Sequence, residues 1–407
     1  LDTVTRDAMA DGMVRAEAML ESAATLSAGQ VGDDLVVRVT NLTGHKLITG
    51  YPEGRRMWLN VQWFDGGDQL IDENGAYGQI RTLNFNSVDY PIHSIIDPSS
   101  TKVYEIDMGL DQQWASQLMG FGYDGGMALY YDRLTDAPAL TLGQLATSPA
   151  GTKGHSFHFV LNNTIIADNR IPPYLFDYDT AQERNALPVP ETQYGNPGAG
   201  GAYEYWDDVA FAIPVGAVRA EVRLYYQQTS WEYIQFLWLQ NDGLNTFLGQ
   251  EGVNLLDAWL NAGSASNKEQ SAPLEMAMAS ANVTAALPAP GEASKQDTPA
   301  EQMLAAWDPV MGMIDVSFTP ACDATEHTIY YGDLANVSAY TYSGAACAVG
   351  SSGSASFDPG LANAFFVVVG NNGTVEGTYG TDGTDPRPED VGTAVCDIPQ
   401  DLSGTCN

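Results

Sequence analysis

Two periods govern the apolar and polar positions of this chain, and the change from one to the other divides it. Over residues 3–26, Met9, Met13, Ala16, Leu20, Ala23 and Ala24 recur near the 3.6-residue repeat while Arg6, Asp11, Arg15 and Glu21 fall elsewhere. This predicts an N-terminal helix with Gly29 as its stop. From Val31 to Ser230 the period becomes two, and residues 35–40, 57–64, 102–107, 156–161, 209–214 and 218–226 read as strands. In 218–226 apolar and charged residues alternate, as a half-buried antiparallel strand requires. Asp65-Gly66-Gly67, Glu73-Asn74-Gly75 and Asn162-Asn163 supply turn chemistry between them. Short helices are predicted at 111–119, 178–185 and 250–262, the last with Val253, Leu256, Trp259 and Leu260 on one stripe.

Beyond this region, residues 266–300 are rich in Ala, Ser, Pro and Glu and read as a linker, partly covering a first strand of the next domain. Strands follow at 312–318, 326–331 and 364–369, with a Gly370-Asn371-Asn372-Gly373 hairpin. This set of short strands resembles a fibronectin type III-like module, a spacer or docking unit. The expected fold is mainly β. A helix over 1–30 leads into a β-sandwich domain over 31–265 with loop and helix insertions. After the linker come a second, smaller β-sandwich over 301–392 and a tail over 393–407.

Composition narrows the partners. The chain has 407 residues, 44% of them hydrophobic, and a formal net charge of −34. That apolar content supports real cores, and that field repels phosphate backbones and anionic lipid. Neither nucleic-acid binding nor membrane insertion is expected; cationic partners and calcium are favoured. No stretch has the apolar length of a membrane span, and Leu1 opens no signal peptide, so a mature or trimmed chain is expected. The four cysteines, Cys322, Cys347, Cys396 and Cys406, cluster near the C-terminus. Sequential pairing, Cys322–Cys347 and Cys396–Cys406, is the simplest of three connectivities. Disulfides imply an oxidising, extracytoplasmic place.

Candidate chemistry concentrates in residues 41–58, which hold His45, Lys46, Arg55 and Arg56 in a chain with 17 Lys+Arg and five His. Thr43-Gly44-His45-Lys46, Thr49-Gly50-Tyr51-Pro52 and Arg55-Arg56-Met57-Trp58-Leu59 resemble a segment just downstream of the haem-binding region in bacterial extracellular multihaem c-type cytochromes. Runs 156–163, 168–173, 229–233 and 255–260 resemble the same region, so the likeness spans residues 1–265. Covalent haem attachment needs Cys-x-x-Cys-His, and no such run occurs. The chain therefore resembles the haem-free C-terminal part of such a cytochrome. The resemblance implies a structural and docking role in extracellular electron transfer, with no catalysis by this chain. Haem would be carried by an upstream segment or another subunit, in a larger assembly or filament outside a bacterial cell. In the resembled cytochromes the N-terminal helix leads out of the haem domain, so one of its faces is expected to be bare.

A low-spin haem iron takes two axial ligands, and neutral imidazole suits iron. His45 is the first candidate ligand for a haem from elsewhere, followed by His93 and His158. His155 and His158, three apart on a predicted strand, face opposite sides and do not share an ion. Arg55, Arg56 and Arg170 are candidates for pairing with haem propionates; internal salt bridges are the competing assignment. Calcium has two acidic candidates, Asp65, Asp68 and Asp72 in one hairpin and Asp382 and Asp385 in the tail, neither with EF-hand spacing. An extracellular adhesion or carbohydrate-binding protein is the alternative function, with the aromatic runs 203–206, 225–226 and 231–238 as its surface. No nucleophile elbow, phosphate loop or His-Glu-x-x-His helix occurs, and nothing nominates a glycosidase pair.

Overall fold

The computed structural model describes residues 3–48, 53–263, 270–285, 289–294, 303–381, 386–389, 396 and 398–404. The chain is mainly β, in several antiparallel sheets with one N-terminal helix, and it divides into two units, Leu1–Ala285 and Ala286–Asn407.

The first unit opens with α1 (Thr3–Glu21), β1 (Ala24–Val31) and β2 (Asp34–Asn41). The helix ends before the expected residue 26, and Gly29 lies inside β1 instead of stopping a helix. Residues 24–31 pair continuously with β2, from Ala24 opposite Asn41 to Val31 opposite Asp34. That ladder overrides the weak helical signal of a small-residue segment. Strands β3 (Arg56–Phe64), β4 (Leu70–Asn74), β5 (Tyr77–Phe85), β6 (Val88–Ile95), β7 (Val103–Tyr104) and β8 (Ile106–Asp111) follow. Next come α2 (Gln112–Gly120), β9 (Ala128–Tyr131), β10 (Pro138–Thr141), α3 (Leu142–Ala146), β11 (Lys153–His155), β12 (Thr164–Asp168) and α4 (Tyr178–Glu183). The unit closes with β13 (Trp206–Ala212), β14 (Arg219–Gln227), α5 (Trp231–Gln240), α6 (Glu251–Leu260) and β15 (Leu274–Asn282).

Two sheets, β1-β2-β13 and β15-β14-β3-β4, share the main core. Alternation decides which side chains enter it. Leu35, Val37 and Val39 of β2, Met57, Leu59, Val61 and Trp63 of β3, and Ala220, Val222 and Leu224 of β14 are all buried there. Each large aliphatic side chain among them contributes about 1.5–3 kcal/mol relative to exposure. The other face of β3 is also covered. Trp58 packs on Tyr77 and Tyr225 and donates its indole N–H to the Gly75 carbonyl at 3.1 Å. Gly75 has φ +68°, and a Cβ there would run into the Leu59 carbonyl, so the turn requires glycine.

Three further expectations change. Residues 156–161 are not a strand: the ladder ends at His155, and the chain turns, with the Leu161 N–H donating to the His158 carbonyl. Ser156 and Asn162 side chains bond to nearby backbone and compete with pairing. The expected linker over 266–300 contains β15, which pairs along β14 in the first unit's sheet; its alternating small residues carried little apolar signal. The aromatic run 231–238 belongs to α5, capped by Ser230, and its Trp231, Tyr233 and Phe236 are buried. Trp231 and Ile234 pack with Leu256, Trp259 and Leu260 of α6 against Leu83, Phe85 and Ile92 of the β5-β6 sheet.

In the second unit, β16 (Leu304–Asp308), β17 (Met313–Ser317), β18 (Glu326–Asp333), β19 (Gly344–Ala346), β20 (Ser354–Phe357) and β21 (Ala364–Asn371) form two three-stranded sheets, β16-β17-β20 and β19-β18-β21. Val316, Ile329, Phe357 and Val368 from both sheets share its core. The expected sequential disulfides are overturned: Cys347 is bonded to Cys396, with Cα atoms 5.7 Å apart. Strand β18 is the reason. Tyr330 pairs with Ala345, two residues before Cys347, while its hydroxyl donates to the Cys396 carbonyl. Cys322 is disulfide-bonded as well, and Cys406, like Asp382 and Asp385, lies outside the described residues.

Peptide mapping of the non-reduced protein should recover 347 joined to 396. Cys347→Ala should lower stability by about 4 kcal/mol, the loop-entropy value for a closed loop of 49 residues. Recovery of a 322–347 fragment would contradict this topology.

Candidate docking end and charged cleft

The residues of 41–48 are held by those of 168–172. The Asn41 amide donates to the carbonyls of His45, Ile171 and Pro172, and Leu47 bridges Ile171. Lys46 Nζ lies 2.7 Å from Asp168 Oδ2, and Arg170 Nε lies 2.8 Å from Asp168 Oδ1. Burial pushes the Asp168 carboxyl up, but Arg170 and Lys46 outweigh it and hold the group below the usual carboxylate range. Burial likewise lowers Lys46 despite its partner. Much of the chemistry in these two motifs is therefore structural, and Arg170 pairs internally.

His45 stands apart from this stitching. Its ring is exposed, Nδ1 sits 3.0 Å from Thr43 Oγ1, and no described group meets Nε2. Four residues earlier, Asn41 pairs with Ala24, just past the end of α1. That helix buries no residue, and Val4, Met9, Met13, Val14 and Met19 are all exposed. His93 on β6 is half-buried beside Tyr77. His158 is half-buried, its ring edge-on to Phe236, and its Nε2 donates to the Ala128 carbonyl at 2.9 Å. Burial lowers the His158 pKa.

Arg55 and Arg56 line a cleft of about 430 Å³ in the first unit. Arg56 is buried and donates to Gln227 Oε1 and Ser94 Oγ, both at 2.9 Å. Its Nη1 is 3.3 Å from Glu232 Oε2, in the first turn of α5. Arg133 reaches Glu232 Oε1 at 3.2 Å, and the Ser94 hydroxyl donates to the same oxygen at 3.0 Å. Burial raises Glu232, but Arg56, Arg133 and Ser94 turn the net shift downward. Arg56 thus forms an internal salt bridge, the competing assignment for this residue.

Three other carboxyls line the cleft. Glu105, half-buried, lines it, and burial, then Asp107, push its pKa far above the usual range while Arg56 partly opposes them. Glu53 is 6% exposed, neither of its carboxylate oxygens has a hydrogen-bond partner among the described residues, and burial raises its pKa. Asp107 Oδ1 is 3.6 Å from His155 Nδ1. Burial lowers His155 more than Asp107 raises it, and Tyr130 and Phe157 pack edge-on against the ring.

Sequence reasoning placed Arg55 and Arg56 at a site and weighed His155 only together with His158, but missed Glu53, Glu105, Asp107, Arg133 and Glu232. Glu53, His155 and Glu232 lie in or beside motif runs far apart in sequence, which the fold brings together. Glu105 and Asp107 carried a fainter signal, two carboxylates at i and i+2 of an alternating segment. The calcium candidates of the hairpin do not converge. Asp65 Oδ1 accepts the amides of Gly67 and Gln69, Asp68 pairs with Arg219, and Asp72 accepts the Glu73 amide. Among the described residues, no three His, Cys, Asp or Glu side chains are placed to hold a metal ion.

No family model and no curated protein matches the chain. Among solved structures, it is similar to a penta-heme cytochrome c552 from Thermochromatium tepidum, at 16% identity and a TM-score of 0.28. That likeness covers 66% of this chain and 41% of the cytochrome. A BSP domain of a biofilm associated protein is similar at 10% identity and a TM-score of 0.12, over 89% of this chain and 67% of that one. At these scores neither likeness establishes a shared fold.

Asp168→Asn should lower stability at neutral pH by about 3–5 kcal/mol, because it leaves Lys46 and Arg170 without their buried counter-charge. The folded pKa of Asp168 is depressed, so its contribution is present above the unfolded pKa and lost as pH falls through the folded one. Denaturant titrations of both proteins should therefore converge in acid. Equal stability at neutral pH would refute the stitching.

Proposed function

We propose that this chain is a structural and docking region of a secreted multihaem electron-transfer cytochrome, with haem supplied by a neighbouring segment or subunit. The observation that carries the reading is His45: exposed, fixed at Nδ1 by Thr43, with Nε2 met by no described group, on a loop that follows the pairing of Asn41 with Ala24 just past the exposed helix α1. Holding one imidazole nitrogen through a hydrogen bond while the other stays open is how proteins present histidine to a metal. His158 is a weaker candidate because Nε2 is already used, and His93 is half-buried against Tyr77. The second unit acts as a fibronectin type III-like spacer; two antiparallel sheets around one core support that assignment. The Cys347–Cys396 disulfide fits an oxidising, extracellular place, and no helix among the described residues is long and apolar enough to cross a membrane.

The test is His45→Ala in the haem-bearing assembly, read by visible and electron paramagnetic resonance spectra. One haem should change from low-spin to high-spin while the far-ultraviolet circular dichroism stays that of the folded β protein. Spectra identical to the unaltered assembly would remove His45 as a ligand.

A further inference from the structure

We propose that the charged cleft of the first unit binds an alkylammonium group, with Glu105 and Asp107 as its carboxylate acceptors and aromatic rings around its stem. The argument begins with charge. Arg56 and Arg133 are both directed at Glu232, and neither Glu53, Glu105 nor Asp107 forms an ion pair with a lysine or arginine among the described residues. The base nearest Asp107 is His155, whose charged form burial disfavours. Burial holds Glu53 and Glu105 toward their neutral forms, only partly opposed at Glu105 by Arg56, and an incoming cation would favour their ionised forms.

Glu53 supplies an independent observation. It lines the cleft at 6% exposure, and neither carboxylate oxygen has a hydrogen-bond partner among the described residues. A buried acceptor without a donor is costly unless a bound group changes its surroundings. Size and lining then select the kind of cation. A cleft of about 430 Å³ is far larger than a bare ion and lies within the range of small-ligand pockets. No three acid, histidine or cysteine side chains among the described residues are placed to share a metal ion. An ammonium carries three rotatable donors and can engage acceptors too widely spaced to coordinate one metal. Tyr130, Tyr131 and Phe157 offer apolar rings for its alkyl stem and π-faces for its charge. A free amine and a lysine side chain share this head group.

Calorimetric titration of the 407-residue protein with n-butylammonium chloride, in mildly alkaline, low-salt buffer, tests the assignment. Saturable one-site binding is expected, weakened about tenfold or more in both Glu105→Gln and Asp107→Asn. Thermal melts check that each variant is folded, and either one alone suffices if the other is not. A parallel titration with Nα-acetyl-lysine methylamide separates the sources: binding there admits a partner's lysine, whereas binding of butylammonium alone restricts the site to free amines. Absence of saturable binding by either probe, affinity unchanged in the folded variants, or a response to calcium without one to the amines would each overturn the proposal.

Discussion

The buried pair of Arg56 and Glu232 is the interaction on which the layout of the first unit turns. Arg56 is the first residue of the strand at the heart of the sandwich, and Glu232 lies in the first turn of the helix that anchors the side layer. Taking both groups out of water is expensive, and Ser94 and Gln227 accept from Arg56 while Ser94 and Arg133 donate to Glu232 Oε1, which offsets part of that cost. Those partners come from β6, β14 and the connection between β9 and β10. One ion pair thus fixes how the main sheet, the small sheet and the helix pair meet. The cleft opens around it, because charges held there prevent the space from closing over with apolar side chains.

A second buried cluster divides the chemistry of the N-terminal motifs. Asp168 pairs with both Lys46 and Arg170 and locks two distant segments together, so most of the polar residues there serve the fold. His45 is the exception. It shares the loop but not the lock, and the loop follows a strand that pairs, at Asn41, with Ala24 just past a helix whose Val4, Met9, Met13, Val14 and Met19 are exposed. A loop braced well enough to hold a ring, together with the exposed apolar residues of α1, is the physical basis of the docking proposal.

How far the sequence disclosed this structure depended on the side chains in each segment. Strands β2, β3 and β14 were legible because large apolar residues alternate with polar ones and one face is buried. β1 and β15 were not, since alanine, serine and methionine alternate too weakly to separate strand from helix or linker; pairing with a neighbour decides them. Residues 156–161 erred the other way: their alternation was real, but side-chain bonds to the backbone turned the chain. In the cleft, Arg55 and Arg56 announced themselves as rare cations in an anionic protein. Its acids did not, because 51 Asp and Glu give no reason to single out Glu53, Glu105 or Glu232 before long-range packing gathers them. The cysteine pairing failed for the same reason, being set by the register of β18 and not by order along the chain.

Amide hydrogen exchange on α1 tests the docking account most directly. Thr3–Glu21 lies outside every buried cluster apart from partial packing of Leu20, so its amides should exchange rapidly in the isolated chain while those of β3 and β14 are protected. In the haem-bearing assembly the same helix should become strongly protected, with β3 and β14 unchanged. Exchange on α1 that is equally fast with and without the haem-bearing partner would contradict the claim that this helix is a docking surface.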